Sequence, residues 1–203
     1  RVELRDVGRS EVVYCLTAEH LAAVDAREVV GSTQRRPGWL PAIEDELVGR
    51  SAEIGAVVDA IDAFGVVSIV GVGGMGKTRL ALEAATAAEF ADGVWWCDLA
   101  AVTAPDAVPA AVLAVFGARQ ASGRSATECL VEHLSGLGVL VVFDNCEHVI
   151  DAARSLVGSI RSGCLDVRVL AMSREAVGLR GEHVISISAL PASDASFHRS
   201  VRP

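Results

Sequence analysis

Apolar positions along this 203-residue chain cluster in short unbroken runs, separated by Ala- and Leu-rich stretches that carry their charges on one side. Residues 66–70 (Val-Val-Ser-Ile-Val), 139–143 (Val-Leu-Val-Val-Phe) and 167–172 (Val-Arg-Val-Leu-Ala-Met) lack a clean polar alternation. Such runs suit strands covered on both faces. Residues 94–99, opened by Asp92-Gly93, and residues 184–187 add two further strand candidates. Between the strands the period changes. Residues 78–90 form an Ala/Leu-rich helix, and Ser125 with Glu128 makes a capping box for a helix reaching about Ser135, stopped by Gly136. A third helix places Val149, Ala153, Leu156, Val157 and Ile160 on one face and ends at Gly163. Strands alternating with helices predict parallel βαβ units. The expected fold is therefore α/β: a doubly wound parallel sheet of about five strands with flanking helices.

The ends read differently. Residues 2–7 and 11–16, parted by Gly8-Arg-Ser10, predict a hairpin followed by a short helical stretch to residue 30. Residues 31–43 hold the densest Gly and Pro chemistry and read as a linker; the globular unit spans 44–191, and 192–203 form a polar tail. No apolar run reaches the roughly 18 residues that span a bilayer. The chain starts at Arg1 without a leader pattern, so a cytoplasmic segment of a longer protein is expected. A net charge of −8 argues against a broad nucleic-acid-binding surface on this segment. The five cysteines show no C-x-x-C spacing and read as reduced thiols, Cys97, Cys129 and Cys146 in or beside apolar stretches.

Candidate chemistry centres on one residue. Of 18 basic residues 17 are arginines, and the single lysine, Lys77, stands in Gly71-Val-Gly-Gly-Met-Gly-Lys-Thr78. The stretch fits the phosphate-binding pattern G-x-x-x-x-G-K-[ST], in which lysine reaches the β/γ-phosphates as a compact charge and the hydroxyl ligates Mg²⁺. It follows a strand candidate and precedes a helix, which would put backbone N–H groups around an anion. Gly73, Gly74 and Gly76 can take positive φ and offer no side chain to block approach. Met75 and Arg79 flank the cradle.

Mg²⁺ on a nucleotide needs a second anchor, and Asp144 ends the most apolar run in the chain. The alternative is an N-cap for the following helix, and both roles can coexist. Hydrolysis also needs a residue to orient or deprotonate water. The position after Asp144 is Asn145, not an acid, so Glu147 is the nearest candidate; a first-turn glutamate is otherwise ordinary. His148 reads as a helix-surface residue.

With Gly71–Thr78 and Val139-Leu-Val-Val-Phe-Asp-Asn-Cys-Glu-His148 in hand, the chain resembles the signal-transduction ATPases with numerous domains (STAND). Within that class it is most similar to the NB-ARC-like nucleotide-binding module of large LuxR-type bacterial regulators. Leu47-Val-Gly-Arg50 with Glu53 resembles the element that contacts adenine and ribose, which implicates Val48, Gly49 and Arg50. Leu170-Ala-Met-Ser-Arg174, followed by Gly181-Glu182, resembles the segment whose arginine approaches the γ-phosphate. A surface arginine is the simpler account of Arg174, and a salt-bridging or solvated one of Arg50. The resemblance covers roughly residues 44–191 and implies that the 167–172 strand lies between the phosphate-loop strand and the Asp144 strand. Residues 2–16 resemble the closing segment of a class III nucleotide cyclase domain; no cyclase metal or base-recognition motif is present, so no cyclase activity is expected.

The resemblance implies ATP/ADP and Mg²⁺ as ligands, a nucleotide-dependent switch with slow hydrolysis at best, and self-association governed by nucleotide. Relatives continue into helical, winged-helix and sensor domains that read the nucleotide state, and no such element is expected within residues 192–203. Two rivals stand beside this reading: a truncated nucleotide-binding or interaction remnant, and a P-loop kinase acting on a small acceptor. Kinases of that sort carry an Arg-rich lid, and no Arg cluster follows residue 124.

Overall fold

A computed structural model describes residues 38–42 and 49–188. The expected N-terminal hairpin and helical stretch, the polar tail and Val48 lie outside the described residues. Six strands form one all-parallel sheet: β1 (Gly38–Trp39), β2 (Val66–Val70), β3 (Val94–Asp98), β4 (Leu140–Asp144), β5 (Arg168–Ser173) and β6 (His183–Ser186). Their lateral order is β1-β3-β4-β5-β2-β6. The 168–173 strand does lie between the phosphate-loop strand and the Asp144 strand.

Among the described residues five α-helices cover the sheet: α1 (Ser51–Ala63), α2 (Lys77–Ala87), α3 (Val108–Val115), α4 (Ala126–Leu134) and α5 (Ile150–Gly163). Alternate residues of each strand feed opposite layers. Leu140, Val142, Leu170 and Met172 pack with α1 and α2 through Val57, Ile61, Leu80 and Ala84. Val141, Phe143, Val169 and Ala171 pack with α3, α4 and α5 through Val112, Leu130, Leu134, Leu156 and Ile160. Every residue of β4 is buried, which accounts for its unbroken apolar run.

Boundaries shift by a residue or a turn from the sequence reading. The helix after the glycine loop ends at Ala87 rather than residue 90, and the capping box at Ser125 forms with both of its hydrogen bonds. Two helices had no assignment in sequence. α1 is Ala- and Gly-diluted, and α3 (Val-Pro-Ala-Ala-Val-Leu-Ala-Val) has no polar face from which to read a period. Gly38–Trp39, inside the stretch expected to be linker, instead pairs with β3 as a sixth strand. Pro41 follows two residues after it and is compatible with a short edge strand. Cys97, Cys129, Cys146 and Cys164 are buried free thiols, and burial pushes those of Cys97 and Cys146 up to about 12.

Helices α4 and α5 approach closely where α5 ends. A Cβ added at Gly163 would stand 2.3 Å from Val131 Cγ1. Gly163→Ala is therefore expected to cost about 1–3 kcal/mol in urea unfolding, and Val131→Ala in that background to recover part of the loss. Strictly additive losses in the double variant would contradict the contact.

Candidate functional site

Both faces of the central strands are filled, so polar side chains from β2, β4 and β5 emerge at their carboxyl ends. There β2 passes into the glycine loop, and α2 starts at Lys77. Gly74 (φ 79°) and Gly76 (φ 81°) take left-handed conformations; Gly73 does not. Gly76 is the N-cap of α2. A Cβ built at Gly73, Gly74 or Gly76 meets nothing within 4 Å, so the space beside the loop is open. Gly71 is glycine for another reason: a Cβ there would lie 3.0 Å from the carbonyl oxygen of Ile187.

The loop borders a cavity of about 430 Å³ lined by Gly73, Gly74, Gly76, Lys77, Thr78, Arg79, Leu82, Asp144, Asn145, Glu147 and Met172. Lys77 Nζ donates to the carbonyls of Gly71 (2.7 Å) and Val72 (3.1 Å), folded back on its own loop. Thr78 Oγ1 donates to Asp144 Oδ1 at 3.2 Å, across the top of β5. The two side chains expected to hold a metal are thus already adjacent. Arg79 pairs with Glu83 at 2.9 Å, one helical turn on.

Asp144 is 4% exposed. Burial pushes its carboxyl above the ordinary range, while hydrogen bonds from Thr78 and the Asn145 amide pull it down; the charges of Asp98 and Glu147 add to the rise. It caps no helix, since the 3-10 turn Glu147–Val149 and α5 begin beyond it with Cys146 and Val149 as caps. Asn145 adopts φ 56° and donates through Nδ2 to Asp98 Oδ1 at 3.0 Å. Asp98 sits opposite Asp144 in the β3–β4 register. Sequence reasoning missed this partner; a strand ending in an acid beside Asp144 was the available signal.

Glu147 and Arg174 come together as well. Arg174 Nε lies 3.6 Å from Glu147 Oε1, with the arginine largely exposed. The loop after Arg174 is pinned by Glu182, whose carboxylate accepts from the amides of Val177 (2.9 Å), Gly178 (2.6 Å) and Leu179 (2.9 Å). Arg50 matches its salt-bridging alternative: it is 3% exposed, with Nη1 paired to Glu53 at 3.3 Å and Nη2 on the carbonyls of Met75 and Ser188. Gly49 beside it has φ 83°.

A strand, a glycine loop and a helix opening on Lys-Thr, with a buried aspartate two strands away, define a P-loop NTPase fold. Solved structures share it. A STAND protein with a tetratricopeptide repeat sensor from Pyrococcus horikoshii aligns with a TM-score of 0.55 at 20% identity, over 77% of this chain and 25% of that one. A Walker-type ATPase of Pyrococcus abyssi aligns at 0.52 and 10% identity, over 75% of this chain and 56% of its own. In sequence the chain is 41% identical over 137 residues to an uncharacterized protein of Mycobacterium tuberculosis, covering 66% of this chain and 35% of that protein. Regulatory protein AfsR of Streptomyces coelicolor is 30% identical over 180 residues, 79% of this chain and 18% of its own. A protein of M. tuberculosis named as an HTH-type transcriptional regulator is 37% identical over 128 residues, 63% of this chain and 14% of its own. No family model matches. The chain spans about a third or less of the length of these curated relatives. The fold is that of a P-loop ATPase, and the sequence similarity extends to proteins named as regulators. Among the described residues no helix is long and apolar enough to cross a membrane.

The raised carboxyl of Asp144 has a testable sign. A folded-state value above the unfolded one means that the folded chain holds the proton more tightly. Stability therefore falls as pH rises from the ordinary Asp value through the raised one, and stays lower above it. Asp144→Asn keeps the acceptor for Thr78 without the buried charge. In metal-free unfolding experiments it should be more stable than wild type at pH 7, and the gain should vanish below the ordinary Asp range. A variant less stable than wild type at pH 7 would contradict the burial argument.

Proposed function

We propose that this segment binds Mg²⁺·ATP in the cavity beside the glycine loop and acts as a nucleotide-dependent switch in a bacterial regulator. The observation that carries this reading is the conjunction of Lys77 held on loop carbonyls with Thr78 already against Asp144. The open space beside Gly73, Gly74 and Gly76 is the cradle that such a ligand needs. In this reading the loop amides and the N-terminus of α2 receive phosphate oxygens, and Lys77 turns from neutral carbonyls to the β/γ-phosphates. Thr78 and Asp144 hold Mg²⁺, which when bound screens the phosphate charge. Glu147 is the candidate to orient water, and Arg174 the candidate to sense the γ-phosphate.

Hydrolysis in this reading is slow. The residue after Asp144 is an amide engaged with Asp98, and the one nearby glutamate is ion-paired with Arg174. ATP over GTP is supported by the absence of an N-K-x-D guanine-reading motif. The relatives' greater length supports a module whose nucleotide state is read by further domains of a longer protein; a cytoplasmic location and nucleotide-dependent self-association complete the reading.

Titration with a fluorescent ATP analogue and Mg²⁺ tests the reading. Lys77→Ala removes a charge-assisted bond of about 1.5–3 kcal/mol, so affinity should fall at least about tenfold. Asp144→Asn should abolish the gain in affinity that Mg²⁺ gives. Phosphate release should be slow in wild type and slower in Glu147→Gln. Retained affinity in Lys77→Ala would remove the central assignment. Transfer to an added small acceptor would instead indicate a kinase.

A further inference from the structure

The phosphate loop touches one part of the molecule that the proposed chemistry does not use, the end of β6. Two separate contacts make the connection. At the loop's start, Gly71 packs so closely on Ile187 that a Cβ would lie 3.0 Å from its carbonyl oxygen and 3.1 Å from its Cγ1. At the loop's tip, Arg50 Nη2 donates both to Met75 O (3.1 Å) and to Ser188 O (2.9 Å), residues 25 and 138 positions away in sequence. Ile187 N–H donates in turn to Val70 O, the last residue of the strand that feeds the loop.

A buried guanidinium is costly unless its donors are met, so this arrangement is not incidental packing. Arg50 is the only cation among the buried described residues. Its planar fork can hold two carbonyls in a fixed relation, which an ammonium point charge does poorly. The grip on Met75 has a consequence for the loop. The Met75–Gly76 peptide is trans and planar, so fixing the carbonyl toward Arg50 turns the Gly76 N–H the opposite way. Gly76 lines the cavity and Arg50 does not. The same side chain thus sets the direction of one loop amide and the position of Ser188.

We propose that Arg50 is a positioning residue that couples the phosphate loop to residues 187–188: by tying Met75 O to Ser188 O, it passes the loop's response to a bound phosphate on to the end of β6. This rests on the nucleotide-binding reading above and adds the route by which occupancy leaves the site. The contact is local to the end of the last strand, where the chain departs from the sheet, so the device needs no movement of the core. A two-state element that both sites bias is the physical requirement for such coupling; in this proposal that element is the Met75–Gly76 peptide held by Arg50.

Hydrogen exchange of the full chain, read on peptides covering residues 71–78 and 183–188, tests it. Wild type saturated with Mg²⁺·ATP should show slowed exchange in both, by roughly fivefold or more at 183–188, the lower end of ordinary coupling between sites. Arg50→Ala, saturated at its own measured affinity, should keep the effect at 71–78 and lose most of it at 183–188. Should Arg50→Ala fail to fold, Arg50→Lys keeps the buried charge without the fork and should show a reduced ligand effect at 183–188. A folded, saturated variant with the full ligand effect at 183–188 overturns the coupling, as does wild type protected at 71–78 alone. No protection at 71–78 in wild type overturns the nucleotide reading itself, and the coupling with it.

Discussion

Burial of β2, β4 and β5 on both faces is the constraint from which the rest of this molecule follows. Val66, Val67, Ile69, Leu140, Val141, Val142, Phe143 and Leu170 have no accessible surface. Their backbone groups are satisfied within the parallel ladder, and their side chains meet helices on either side. Charged groups can therefore leave these strands only at an end. The parallel order makes all of them end together, which is why a loop from β2, an aspartate from β4 and an arginine just past β5 share one edge. Placing Asp144 there still carries an electrostatic cost, visible in the raised carboxyl. In the proposed function a divalent cation between Asp144 and Thr78 would offset that cost.

The same logic applies to Lys77. Its ammonium rests on two neutral carbonyls of its own loop. Phosphate oxygens with formal charge make stronger charge-assisted bonds than carbonyls do, and the N-terminus of α2 favours negative charge at the same place. Arginine would not substitute simply. A planar fork of five donors is harder to fold back within six residues and harder to aim as a point charge, a physical ground for the lone lysine in a chain otherwise reliant on arginine.

Much of this was legible in sequence, and what was not has identifiable reasons. Runs such as Val139–Phe143 could be read because full burial removes polar residues from a strand, and the capping box at Ser125 because its two bonds need fixed residue types. Helix α3 was missed because an eight-residue apolar helix has no period to detect. The edge strand Gly38–Trp39 was hidden by prolines that also mark linkers. Lys77, Thr78 and Asp144 could be picked out as candidates because their chemistry is local or motif-bound, and the fold brings Thr78 against Asp144. The Asp98–Asn145 partnership had a signal only in the acid that ends β3, while the grip of Arg50 on Met75 and Ser188 joins residues 25 and 138 positions apart, which no local pattern encodes.

The most direct test of the account is a crystal structure with Mg²⁺ and a non-hydrolysable ATP analogue. The account predicts that Lys77 Nζ leaves the Gly71 and Val72 carbonyls for the β/γ-phosphates, with Mg²⁺ between Thr78 Oγ1 and Asp144. Lys77 still on its two carbonyls, with the nucleotide bound elsewhere or not at all, would contradict it.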